Sequence, residues 1–164
     1  MGRSNIEPGP FVDKLVAKYL GVKRKKYSTN ANSAMTLLSQ FINETPCGFS
    51  ISFQKQLNSQ SCKVTLNKWN MDYEASGGYL PMTICLLFIN SWAKNLRHYS
   101  YEFLKLKYKV YLKATEKREE LGYYEDDNFT DEELDALNLH PDIPILFQKL
   151  TDIEIKSLVE YANR

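Results

Sequence analysis

Histidine, cysteine and long apolar runs are all scarce in this chain of 164 residues. The only histidines are His98 and His140, and the only cysteines are Cys47, Cys62 and Cys85. With no CxxC or CxxxC spacing, a zinc site is not expected, and the odd set of thiols reads as reduced and partly buried. The longest apolar stretch, MTICLLFI, is interrupted by Thr83 and falls short of the roughly 18 residues a membrane span needs. The first residues show no charged-then-apolar pattern, so secretion is not expected. Met1-Gly2 lacks the Ser or Thr at position 6 that myristoylation wants, because Ile6 stands there. GxSxG, P-loop and HExxH motifs are all missing. His140 precedes Pro141-Asp142, and a histidine near carboxylates can serve as a base. A lone histidine beside proline in a loop is far more often structural. No catalytic residue, cofactor or metal is therefore assigned, and the expected class is a cytoplasmic non-enzyme.

What is present supports a packed core: hydrophobic residues make up 43% and aromatics 13%, mostly Tyr. Net charge is only +1, which by itself would point away from a polyanion partner. The distribution is uneven, however. Residues 1–118 hold 18 Lys/Arg against 7 Asp/Glu, a net of +11, and residues 119–164 hold 3 against 13, a net of −10. Such asymmetry means either a basic face with an acidic arm, or two halves that dock on each other.

Glu7-Pro8-Gly9-Pro10 starts a helix, with Phe11, Leu15, Val16, Tyr19 and Leu20 at helical spacing and Gly21 as its stop. The basic run KRKK follows. Ser28, Thr29 or Asn30 caps a second helix with Ala31, Ala34, Met35, Leu38, Phe41 and Ile42 on one face, ended by Thr45-Pro46. GFSISFQ then changes period: Phe49, Ile51 and Phe53 alternate with Ser, which is strand-like and leaves one face polar. LNSQS is a turn, CKVTLNKW repeats the alternation, MDYEA is a third short strand, and Ser76-Gly77-Gly78 breaks the chain. Pro81 opens a helix too broadly apolar for a one-sided surface helix, so it packs on the sheet and on something else. LKLKYKVYLK, residues 104–113, alternates like a strand yet runs without a turn into ATEKREELG; we read it as helix ending at Gly122. Thr130/Glu133 and Thr151/Glu154 are capping boxes, with Phe129/Leu134 and Leu150/Ile155 as hydrophobic staples.

The first part of the chain resembles the phage ABA sandwich domain family. The resemblance lies in NIEPGPFVDKLVAKYLGV, YSTNANSAMTLLSQF, FSISF and YEASGGYLPMTICLLFI, over roughly residues 5–95. It implies an α+β fold: a three-layer helix/antiparallel-sheet/helix sandwich, from a phage or prophage source. The expected domains are 1–97, ABA-sandwich-like, and 98–164, a helical extension packed on it. The chain departs from the family pattern in the KRKK run before YST and in about 65 added C-terminal residues. The family implies no catalytic residues.

Three surfaces are candidates for binding. Lys23, Arg24, Lys25 and Lys26, with Ser28 and Thr29, precede a helix start, where free N–H groups and the helix dipole favour an anion or nucleotide; the alternative is a solvated loop with an ordinary cap. Asp126, Asp127, Asp131 and Glu132 form an acidic patch suited to a basic protein partner or to DNA mimicry, although acids are also favoured in a first helical turn for their own sake. An EF-hand is excluded because its Gly and distal Glu do not fall in place. Lys105, Lys107, Lys109, Lys113, Lys117 and Arg118 interleave with Tyr99, Tyr101, Tyr108 and Tyr111, a composition that can hold single-stranded nucleic acid. The leading expectation is a non-enzymatic accessory protein that binds a host protein in the bacterial cytoplasm, as a counter-defence or host-takeover inhibitor. A binder of a phosphate-bearing nucleotide signal and a nucleic-acid-binding accessory are the alternatives. If the acidic arm docks on the Lys105–Arg118 face, Leu134, Leu137, Leu146 and Phe147 should carry the contact and leave Asp126, Asp127 and Glu132 in solvent.

Overall fold

The computed structural model describes residues 6–44, 48–56, 59–68, 71–122 and 128–164. Thr45-Pro46, Cys47, the Leu57-Asn58 part of the expected turn, and Asp126 and Asp127 lie outside them. The chain is an α+β protein of two compact units, residues 1–94 and 95–164.

In the first unit, α1 (Pro10–Leu20) and α2 (Ala31–Glu44) precede β1 (Gly48–Gln56), β2 (Ser59–Lys68) and β3 (Met71–Gly77), and α3 (Leu80–Ala93) closes it. The strands form an antiparallel sheet in the order β1-β2-β3. β2 begins earlier than the sequence suggests: Ser59, Gln60 and Ser61 belong to the strand, opposite Gln56, Lys55 and Gln54. Alternation decides the two faces. Cys62, Val64 and Ala75 are buried, while Ser50, Ser52, Lys63, Glu74 and Ser76 are exposed. On that polar face Ser50 bonds Thr65, and Lys63 pairs with Glu74 at 3.1 Å.

The buried face packs on α3, and α1 and α2 pack on α3 in turn, so α3 is the middle layer. This is why α3 is apolar on every side: Ile84, Cys85, Leu87, Phe88 and Trp92 are all buried. Aromatic pairs lock the helices together, with Trp92 edge-on to Tyr19 at 4.2 Å and Phe88 edge-on to Phe41 at 5.2 Å. Two expected core positions move: Phe11 and Ala31 are exposed, and Val12 and Leu37 are buried instead. Gly77 ends β3 where a Cβ would stand 2.8 Å from Thr83 Oγ1, so only glycine fits there without a shift. Thr83 Oγ1 donates to Tyr79 O at 2.9 Å and accepts from the Cys62 thiol at 3.3 Å, which satisfies it inside the core.

The second unit is helical: α4 (Tyr101–Leu121), α5 (Asp131–Leu137), α6 (Asp142–Lys149) and α7 (Asp152–Ala162). Residues 104–113 are therefore helix, not strand. Ser100 caps α4 by accepting from Phe103 N at 3.1 Å, and Gly122 ends it at φ 69°. Both capping boxes are formed, at Thr130/Glu133 and at Thr151/Glu154. Leu104, Ala114, Ala136, Ile143, Leu146, Ile155 and Leu158 fill the core of this unit. Asn163 closes it, donating to Tyr99 O at 3.0 Å and Val159 O at 2.8 Å.

Candidate protein interface on the C-terminal unit

The basic loop is the first candidate, and its interior is already occupied. Asp13 of α1 is buried, and its Oδ1 accepts from Ser28 N at 2.8 Å and from Ser28 Oγ at 2.7 Å. Gly9 N donates to the same hydroxyl at 2.8 Å. Ser28 is fully buried and spent on these bonds, so its assignment as an anion ligand is corrected. A carboxylate at this depth also repels the anion that the reading required. Asn30, not Ser28 or Thr29, caps α2, accepting from Ser33 N at 2.9 Å. The backbone oxygen of Thr29 accepts from Tyr79 OH at 2.7 Å. Tyr27 is buried with its OH on Lys23 O at 2.6 Å; burial and then the Asp13 charge push its phenol upward. Lys23, Arg24, Lys25 and Lys26 point to solvent around this structural turn.

The acidic run divides. Glu133 closes its capping box and pairs with Lys117 at 3.3 Å. Asp135 pairs with Lys107. The Thr130 N–H, with the Thr130 hydroxyl and Lys117 behind it, holds the Glu133 carboxyl below its ordinary range. α5 thus docks on α4, with Ala136 buried and Leu134 and Leu137 half-buried. Asp131 and Glu132 remain exposed in the first turn of α5.

The same docking rearranges the basic and aromatic series. Tyr101 is buried, Tyr108 stacks on Phe147 at 4.6 Å, and Tyr111 lies against Tyr108 at 6.1 Å. Those rings are consumed by packing, and with Lys107 and Lys117 paired the basic face is no longer continuous. Exposed Lys105, Lys109 and Lys113 remain as one row along α4.

Beside that row lies a surface the composition did not single out. Tyr99, Phe103 and Leu106 are 41%, 42% and 63% exposed, and Val110 is half-buried. Phe103, Leu106 and Val110 fall at i, i+3 and i+7, one face of a helix. Tyr99 stacks parallel on Phe103 at 5.5 Å, which prolongs the stripe past the helix cap. At its N-terminal end opens a groove of about 530 Å³, lined in part by Tyr99, Glu102, Lys156 and Glu160. The signal for this stripe was in the strand-like alternation of LKLKYKVYLK: Leu104 and Tyr108 face inward, while Leu106 and Val110 belong to a second, outward row.

The histidines offer no comparable chemistry. His140 Nδ1 accepts from Asp142 N at 3.1 Å and helps to start α6. His98 N donates to Asn163 Oδ1 at 2.7 Å. Among the described residues no group of His, Cys, Asp and Glu could hold a metal ion, and no helix is long and apolar enough to cross a membrane. Cys85 is buried, and burial together with Asp13 pushes its thiol up to about 12, far from the range of a reactive cysteine. Compared with known proteins, the chain matches no family model, no curated protein and no solved structure.

Proposed function

We propose that this is a non-enzymatic phage or prophage accessory protein that acts by binding a host protein through the exposed stripe of α4. The observation that carries the reading is the exposed row Tyr99, Phe103 and Leu106, continued by half-buried Val110, on a well-capped helix. Single exposed apolar residues are ordinary, but a row at i, i+3 and i+7 is the pattern by which a helix enters an apolar groove. The flanking Lys105, Lys109 and Lys113 suit a groove whose rim carries carboxylates. Aromatic and aliphatic anchors of this kind concentrate binding energy, whereas exposed charges such as Asp131 and Glu132 tune rate and register. The phage setting and a counter-defence role rest on the resemblance of residues 5–95.

The test is capture from a bacterial host lysate by wild-type protein and by Leu106→Glu, with identification of bound proteins and of released small molecules. The substitution lies on the surface and should change stability by no more than about 0.5 kcal/mol. It should reduce capture of a specific protein by about tenfold or more. Equal capture by the two proteins, or release of a nucleotide with no protein retained, would sink the reading.

A further inference from the structure

We propose that the α4 stripe is self-complementary, and that two copies of this chain pair through it, antiparallel about a two-fold axis, until a target displaces one of them. The inference rests on reading the stripe as a protein-binding surface. Its charges carry it further. Glu102, Lys109 and Lys113 are all exposed and stand at i, i+7 and i+11, on one flank of the Phe103–Leu106–Val110 row. At 1.5 Å per residue, Glu102 lies about 10 Å along the axis from Lys109, so the two cannot pair within one helix.

An antiparallel two-fold brings like flank to like flank. With Leu106 beside Leu106 of the second copy, Phe103 falls opposite its Val110, and Glu102 falls between its Lys109 and Lys113. The two-fold repeats the arrangement at the other end. The opposite flank of α4 is neutralised within each copy, because Lys107 is held by Asp135. Apolar and charged positions therefore match in one register. A row of four side chains covers less than the roughly 800 Å² a side of a standard interface. The pair is accordingly weak and reversible, which lets a target with a full groove compete for the stripe.

Sedimentation equilibrium on the purified full chain, over a wide concentration range, reads this directly. Wild type should show a reversible monomer–dimer equilibrium, and Leu106→Glu should stay monomeric. Glu102→Lys alone, and the double variant Lys109→Glu with Lys113→Glu, should each dimerise about tenfold more weakly or worse, because both ends of each homodimer then oppose like charges. An equimolar mixture of those two proteins should regain wild-type association, since both ends then attract. Unchanged circular dichroism identifies the charge variants as folded. A wild-type monomer at every concentration, a Leu106→Glu dimer as tight as wild type, or a mixture no better than its components overturns the proposal. A monomer that still captures a host protein through Leu106 leaves the protein-binding reading intact. A Leu106-dependent dimer with Leu106-independent capture removes that reading and keeps this one.

Discussion

The two units solve the burial problem in different ways. The first spends its hydrophobicity on α3, a helix apolar all round, wrapped by a sheet on one side and two helices on the other. Its polar groups are few and linked over long sequence distances, as in Asp13 to Ser28 and Cys62 to Thr83. The second unit has no sheet among its described residues and relies on local devices: a Ser100 cap, two capping boxes and a left-handed glycine at the end of α4. Helices of seven to eleven residues, such as α5, α6 and α7, are marginal alone, so all three need their few buried side chains, and α5 and α7 their capping boxes. The difference teaches where each unit has freedom. A helix wrapped on all sides buries its whole apolar surface, whereas α4 packs its inner row on the other helices of its unit and leaves Phe103 and Leu106 exposed.

Phe88→Ala removes a ring that is 2% exposed and packed on Phe41. It should cost the first unit about 3–5 kcal/mol, measured by hydrogen exchange of amides in α3 and β2. A loss below about 1 kcal/mol would mean that α3 is not the centre of the core.

A smaller effect is expected at the buried carboxylate. Asp13→Ala leaves the N–H of Ser28 without its acceptor and its hydroxyl with only Gly9 O, at 3.3 Å, and should cost about 1–3 kcal/mol by denaturant unfolding. Asp13→Asn keeps an oxygen in place and should cost less. If instead Asp13→Ala stabilised the protein and created phosphate binding at the loop, the basic run would be an anion site held shut by Asp13, and our account of it would be wrong.

Much of this was legible in the sequence wherever the deciding physics is local. The capping boxes, the glycine stops, the polar face of the strands and the all-round apolar character of α3 follow from residues within a few positions of one another. Ser28 was misread because its role is set by Asp13, fifteen residues away, and a hydroxyl before a helix resembles a cap or an anion donor until that partner is seen. The α4 stripe was hidden for the opposite reason. Two apolar rows on one helix produce the alternation of a strand, so Leu106 looked like half of a period-two pattern instead of an exposed member of a helical row. The split of the acidic run into paired Glu133 and Asp135 and free Asp131 and Glu132 depends on where α5 meets α4, which no short window of sequence contains.

The finest test of the contrast is a titration confined to the locally capped unit. Glu133 has its carboxyl held below the usual 4.5, first by the Thr130 N–H and then by the Thr130 hydroxyl and Lys117. A carboxyl depressed in the folded state stabilises that state above its unfolded value, and the contribution is lost as the pH falls through the folded value. Glu133→Gln keeps an acceptor for the Thr130 N–H but has no charge to lose. The gap in melting temperature between wild type and this variant should therefore be full near neutrality and shrink as the pH drops below about 4.5. The Glu133 side chain is only part-buried and its partner Lys117 reaches solvent, so the gap should be modest and should narrow further in high salt. A gap that stays constant across that acid range would show that the capping box works through geometry alone, and that the acidic first turn of α5 owes nothing to its pairing with α4.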